Sequence, residues 1–356
     1  MRESIRSGDC DEQRRASMSG TDRIACFGEM LLRLAAEPGE MLCTAPDLRV
    51  FAGGAEANVA IALAHLGHPS AMITVLADNP LGALCAGELR RHGVDTAGVR
   101  TGAGRMGLYF LERGAGSRPA RVVYDREHSA FCRAMAEPLP WQRLLEGCTR
   151  LHVSGITAAL SAAAADALLA AVRAARAGGV AVSFDCNYRP SLWQAREASA
   201  GAVLRDVAGH ADTLFANGHD LALMLGEGAP HPADEEAFTR GARAALARFT
   251  QLRLVATTVR LEPAADDQAL AAICVSRDGV FRSRTHALRG IVERIGSGDA
   301  FAAGMLHGGL TGMEPQRAVE FAAACACLKH SVSTDFSVAT VGQVEALVRG
   351  ETAMRR

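Results

Sequence analysis

The chain has 356 residues, is 49% hydrophobic and carries a formal net charge of −1 at pH 7. Length and apolar content suffice for a large buried core, as one α/β domain or two smaller ones. A near-neutral balance gives no general attraction to nucleic acid or membrane, so any anion must be held by a local site.

Residues 1–22 are polar and charged without periodicity, which predicts a disordered tail, with Met18 as an alternative start. Ile24 to Leu34 reads as a first strand, and 40–52 alternate weakly, as short strands do. From Ala55 the pattern turns helical until Gly67, a plausible stop. Residues 70–77 form a continuous apolar run, expected of a buried parallel strand. A helix over about 81–92 and a strand near 94–100 follow. Gly107–Glu112 and Ala120–Asp125 flank a Gly/Ser/Pro turn and read as a hairpin.

The second half alternates. Strand 150–154 precedes a helix over 161–177 that Gly178 and Gly179 end. Strand 180–185, a helix near 195–208, strand 213–216, a helix over 233–249 and strand 253–259 come next. Residues 271–287 predict a hairpin turned at Arg277-Asp278-Gly279. Helices over 298–310, 315–331 and 341–349 close the chain. Repeated βα units predict a parallel sheet covered by helices on both faces. The early short strands and the 107–125 hairpin fall outside that rhythm and predict a small β element beside the main sheet.

Residues 1–22 lack the apolar core of a secretory signal, and no run reaches the roughly 18 apolar residues of a spanning helix, so a cytoplasmic protein is expected. The ten cysteines show no C-x-x-C spacing and read as reduced, mostly buried thiols. Lys329 is the only lysine among 38 basic residues. That is a composition bias, and it makes the arginine count uninformative by itself.

Two segments carry chemistry. In Gly296-Ser297-Gly298-Asp299 a glycine-rich turn enters an apolar helix, so free backbone N–H groups meet the positive end of the helix dipole. An aspartate in that first turn can take a proton from a substrate hydroxyl, or simply cap the helix. In Gly53-Gly54-Ala55-Glu56-Ala57-Asn58 the glycines permit close ligand approach, and Asn58 offers one acceptor and two donors. An ordinary glycine turn before a helix would look the same.

Taken together, in this order and separation, the two segments resemble the signatures of the ribokinase-like carbohydrate kinases, over nearly all of residues 23–350. The resemblance implies a three-layer α/β/α fold with a small β-sheet lid, built from about 33–52 and 105–126. It implies ATP and Mg²⁺ as cofactors, Gly296, Ser297 and Gly298 as an anion hole, and Asp299 as the catalytic base. Gly54 and Asn58 would contact the sugar.

Further segments resemble the 2-keto-3-deoxygluconate kinase branch. They are Gly107-Leu108-Tyr109-Phe110-Leu111-Glu112 with Val123-Tyr124-Asp125-Arg126, then Asp185-Cys186-Asn187-Tyr188-Arg189-Pro190, then Leu328-Lys329-His330, and Arg294-Ile295-Gly296. The resemblance implies Tyr109, Tyr124, Arg126 and Arg189 as substrate contacts, and Asn187, Thr257, Arg260 and His330 on the nucleotide side. Arginine suits a carboxylate through two parallel hydrogen bonds. A neutral sugar would leave two buried guanidinium groups unpaired, which is costly.

The family's N-x-x-E segment reads Asn217-Gly218-His219-Asp220 here, so the metal role falls to a shorter carboxylate at Asp220. Glu293 stands where an aspartate is usual and Arg294 where ribokinases carry threonine, so no monovalent-cation site is inferred. Gly102-Ala103-Gly104-Arg105-Met106-Gly107 precedes a strand and fails as a dinucleotide motif. His65 and His68 read as helix-end residues favoured by the dipole. The alternatives are a kinase for a neutral sugar such as fructose or ribose, and a sugar-binding sensor that has lost catalysis. A homo-oligomer is expected, because an exposed β lid readily pairs with a second copy.

Overall fold

A computed structural model describes residues 22–351 except 115–117, 229, 232–233 and 265–266. The tail predicted for 1–22 lies outside the described residues, apart from Asp22. In chain order the first half holds β1 (Arg23–Phe27), β2 (Leu31–Ala35), β3 (Arg49–Gly53), α1 (Ala55–His65), β4 (Ser70–Ala77), α2 (Pro80–Arg91), β5 (Val99–Gly102), β6 (Gly107–Glu112), β7 (Arg121–Asp125), α3 (Ala130–Ala134), α4 (Trp141–Leu144) and β8 (Cys148–Ser154). Then come α5 (Gly155–Leu160), α6 (Ala162–Ala177), β9 (Ala181–Asp185), α7 (Pro190–Trp193), α8 (Glu197–Ala208), β10 (Thr213–Phe215), α9 (Gly218–Leu225) and α10 (Glu235–Arg248). The chain closes with β11 (Leu254–Ala264), β12 (Asp267–Ser276), β13 (Val280–Arg282), β14 (His286–Leu288), α11 (Ser297–Leu310), α12 (Pro315–Lys329) and α13 (Val341–Val348).

The main sheet runs β13-β12-β11-β10-β9-β8-β1-β4-β5, with β14 also on β12. From β11 to β5 every pairing is parallel, and β12, β13 and β14 add antiparallel partners at one edge. Alternation along β1 divides the core. Ala25 and Phe27 pack with α6 and α8, while Ile24 and Cys26 pack with α1, α11 and α12. Period-2 side chains on a sheet buried on both faces produce this division. Helix ends follow local chemistry: the Ser161 hydroxyl accepts from Ala164 N–H (3.0 Å) to start α6, and Asn79 with Pro80 starts α2. The two helices α11 and α12 approach closely because Gly304 has no side chain; a Cβ there would lie 2.7 Å from Ala322 Cα.

A separate four-stranded sheet, β3-β2-β6-β7, forms the lid. The single strand expected over 24–34 is two strands in two sheets. At Gly28 the Glu56 carboxylate lies 2.1 Å from where a Cβ would stand, and the chain turns there out of the main sheet. Of the span expected to hold lid strands at 40–52, only Arg49–Gly53 pairs; the strand expected near 94–100 pairs at Val99–Gly102. The predicted 107–125 and 271–287 hairpins are present. The nine cysteines among the described residues are all free thiols. No helix of the described residues is long and apolar enough to cross a membrane.

Candidate active site

The carboxyl ends of β9, β10 and β11 come into one row, with Asp185 beside Phe215 and Phe215 beside Ala256. A cleft of about 990 Å³ opens above that row, between the main sheet and the lid. This is where open parallel sheets place their ligands. The lid contributes Leu31, Tyr109, Val122 and Tyr124. The cleft is also lined by Gly54, Asn58, Arg126, Asn187, Arg189, Asn217, Asp220, Thr257, Arg260 and the whole run Gly296–Asp299. Every residue given a site role from the sequence lines it except His330.

Asp299 sits in the first turn of α11 and is buried. Its Oδ2 accepts a hydrogen bond from Asn58 Nδ2 at 2.7 Å, so the two motifs, 241 residues apart, meet side chain to side chain. Burial pushes the carboxyl up to about 7; Glu56 and Asp335 add to the rise, and Asn58 and Arg189 oppose it. Gly296 enters the helix at φ 79, and a Cβ on it would lie 1.5 Å from the Asp335 carbonyl oxygen, so only glycine fits. The first N–H groups of a helix have no acceptor within it. Here the Ser297 N–H turns back to Arg294 O at 3.3 Å, and the Ser297 hydroxyl accepts from Arg260 at 3.2 Å.

Two buried amide oxygens that line the cleft lack a protein partner: Asn58 Oδ1 and Asn187 Oδ1. Asn187 also holds φ 43, a left-handed conformation unusual for a residue with a side chain. Buried acceptors without partners are rare, and strained residues cluster at ligand sites. Both oxygens suit the hydroxyl donors of a polyol.

The two arginines differ from expectation. Arg126 is buried, but its Nε donates to Glu29 Oε2 at 2.6 Å, and Ser129 Oγ donates to the other Glu29 oxygen. Arg189 is exposed, and its NH1 donates to the Tyr188 carbonyl at 3.1 Å. The expected cost of two buried, unpaired guanidinium groups is therefore absent. Sequence reading missed Glu29 because it lies 97 residues before its partner. The Tyr109 hydroxyl donates to Asp335 Oδ2 at 2.6 Å, which fixes the lid to the segment after α12.

His330 stands outside that lining. Its ring lies at the end of α12 with Nδ1 2.7 Å from Ala326 O, and burial lowers the imidazole to about 4. A neutral ring that donates Nδ1–H to its own helix has no second N–H to offer a phosphate oxygen. Its backbone carbonyl instead accepts from Val292 N–H at 2.8 Å and braces the loop before α11. Asp220 and Asn217 form a reciprocal cap on α9, with Asp220 N–H to Asn217 Oδ1 at 2.9 Å and Asn217 N–H to Asp220 Oδ2 at 3.0 Å.

Asp185, quoted only as part of a motif, is a further cleft carboxylate. Burial raises it first, then repulsion from Asp299 and Asp220. Glu56, inside the first motif, accepts from Ser154 N–H (3.1 Å), Ser154 Oγ (2.6 Å) and Thr157 Oγ1 (3.2 Å) and ties α1 to the end of β8. No cluster of three metal-binding side chains exists among the described residues. Magnesium needs only one or two carboxylates when phosphates and waters complete its shell. Mutually repelling carboxylates at Asp185 and Asp220 fit such a cation.

The model of the family described as pfkB family carbohydrate kinase matches residues 21–335. A 2-dehydro-3-deoxygalactonokinase of Haloferax volcanii is 33% identical over 344 residues, 94% of this chain and 98% of that protein. The crystal structure of a 2-dehydro-3-deoxygluconokinase from Thermotoga maritima superposes with a TM-score of 0.87 at 36% identity, over 92% of this chain and 99% of that one. A probable fructokinase of Arabidopsis thaliana is 29% identical over 59% of this chain and 61% of its own length.

Proposed function

The chain belongs to the pfkB family of carbohydrate kinases, and from that premise we propose that it transfers the γ-phosphoryl group of ATP to the terminal hydroxyl of a 2-keto-3-deoxy sugar acid. The gluco and galacto epimers are the two acceptors that its relatives' names suggest. The observation that carries the reading is Asp299. It is a buried carboxyl raised to about 7, held by Asn58 at the start of a helix that opens into the cleft. An aspartate with that affinity for protons is a competent base near neutral pH.

In this mechanism Asp299 takes the proton of the terminal hydroxyl as its oxygen attacks the γ-phosphorus in line. The bond from that phosphorus to the ADP oxygen breaks, and ADP leaves with the electron pair. The first-turn amides of α11 and the Arg260 guanidinium face the charge that spreads over the phosphoryl oxygens. Asn58 Oδ1 accepts from a sugar hydroxyl and orients the acceptor, and Asn187 serves the nucleotide side. Arg189 and the outer nitrogens of Arg126 receive the carboxylate. Asp185 and Asp220 would hold magnesium, whose chemistry there is to neutralise part of the triphosphate charge. The lid keeps water from the cleft.

Val50 and Val123, on one face of the lid sheet, are exposed, and they support pairing of that sheet with a second copy. The test of function is ADP release with 2-keto-3-deoxygluconate, its galacto epimer, fructose and ribose. The acids are expected to exceed both neutral sugars in kcat/KM by about tenfold or more, the worth of one charge-assisted hydrogen bond. Faster turnover of fructose or ribose would refute the acid assignment and leave the neutral-sugar alternative. Sugar binding without turnover would establish the sensor alternative.

A further inference from the structure

Lys329 is the only lysine in a chain with 38 basic residues, and it is fully buried at the end of α12. An ammonium is expensive to bury, and arginine is the cation this chain uses everywhere else. Its side chain runs beneath the turn that opens α11: a Cβ on Gly296 would stand 3.4 Å from Lys329 Cε. Nζ donates to Val332 O at 3.4 Å, in the segment that leads to Asp335. That segment presses on Gly296 through the Asp335 carbonyl.

The charges around it come from every neighbouring element. Arg33 of β2 pairs with Glu293 Oε2 at 2.5 Å and with Asp335 Oδ1 at 3.0 Å. Arg113, just past β6, donates to Glu293 Oε2 at 3.1 Å, and Tyr109 donates to Asp335. Asp299 lies on α11, Arg294 in the loop before it, and His330 is the next residue. Lys329 is therefore where the ion network under the lid meets the helix that carries Asp299.

We propose that Lys329 is a positioning residue for phosphoryl transfer, whose buried ammonium acts as a fixed cation beneath the Gly296–Asp299 turn. It locks the 332–335 segment against that turn and holds the first-turn amides electropositive while phosphoryl charge develops. The inference rests on the kinase reading of Asp299 given above. Burial lowers the ammonium to about 8, while Asp335, Glu293 and Asp299 hold it up and Arg33 pushes it further down. The charge is thus present near neutral pH and is lost above about 8.

The test uses full-length protein with ATP and 2-keto-3-deoxygluconate. Lys329→Met should fold, keep both KM values within about threefold and lose about 10–100-fold in kcat, less than a directly bonded oxyanion donor is worth. Lys329→Ala should regain activity with n-propylammonium, which replaces the missing stem and charge, and should not with n-propanol. Wild-type kcat/KM should fall above pH about 8, and Lys329→Met should lack that limb. A folded Lys329→Met within twofold of wild-type kcat would overturn the proposal, as would equal rescue by propanol, which marks a merely space-filling role. If both variants fail to fold, the wild-type profile decides: a limb near 8 supports the proposal and a flat profile to about pH 9.5 ends it. Asp299→Asn, run alongside, separates the two readings. Retained activity there removes the base assignment whatever Lys329 does.

Discussion

Replacing Asp299 with Asn removes the base while leaving its setting intact. The Asn side chain keeps an oxygen for the Asn58 donor, now 2.7 Å from Asp299 Oδ2. Loss of a positioned base lowers kcat by about 10²–10⁴-fold. The same substitution acts on stability, and the sign follows from burial. The carboxyl ionises near its ordinary value in the unfolded chain but near 7 when folded. Between those two pH values the unfolded chain binds fewer protons, so wild-type stability declines as pH rises toward 7 and then levels. The cost of the buried charge above pH 7 is roughly 4 kcal/mol at most. Asp299→Asn escapes that cost. It should melt higher than wild type at pH 8, with the gap closing near pH 4.5. The assay is kcat at saturating substrates together with thermal melting at both pH values. A variant that keeps most of its activity, or that melts lower than wild type at pH 8, would rule out Asp299 as a buried base. Wild-type kcat/KM should in turn fall as pH drops below about 7, because the base becomes protonated.

Asp220→Ala removes a reciprocal cap and a proposed magnesium ligand. It should cost about 1 kcal/mol of stability and raise the magnesium concentration for half-maximal rate; unchanged magnesium dependence would leave Asp220 as a cap alone. Arg189→Ala should erase much of the preference for the acid through KM with little loss of stability, since the side chain is exposed; melting and KM for acid against fructose check this. Arg126→Ala should differ, because it strands the buried Glu29 carboxylate and so destabilises by about 3–5 kcal/mol, measured by denaturant unfolding. Gly296→Ala should yield little folded enzyme, since its φ and the Asp335 carbonyl leave no room for a methyl group.

The parts of the site that were legible in sequence are those carried by consecutive residues. Gly296-Ser297-Gly298-Asp299 announces a helix N-terminus with an acid in its first turn, and that is its geometry. What stayed hidden depends on partners distant in the chain. Nothing near Arg126 points to Glu29, nothing near Tyr109 points to Asp335, and Arg33 reads as an ordinary strand arginine until Glu293 and Asp335 close around it. Nothing in Leu328-Lys329-His330 shows that helix geometry turns the His330 ring back onto Ala326. The fold was read well where apolar runs are bounded by glycine, as in β4 and α6. It was read short at β11, which continues to Ala264 through Pro263, a residue that ordinarily ends a strand. The β1–β2 break was missed because both strands are apolar, and burial alone does not say which sheet a strand joins.

The reaction assigned to this chain is esterification of the terminal hydroxyl of a keto-deoxy sugar acid at the expense of ATP. Phosphorus NMR of a reaction containing 2-keto-3-deoxygluconate, ATP and magnesium tests it most directly. The account predicts one new phosphate monoester, coupled to the two protons of a terminal methylene, growing in step with ADP and absent with Asp299→Asn. Inorganic phosphate as the only new signal, or a monoester that forms with fructose and not with the acid, would contradict it.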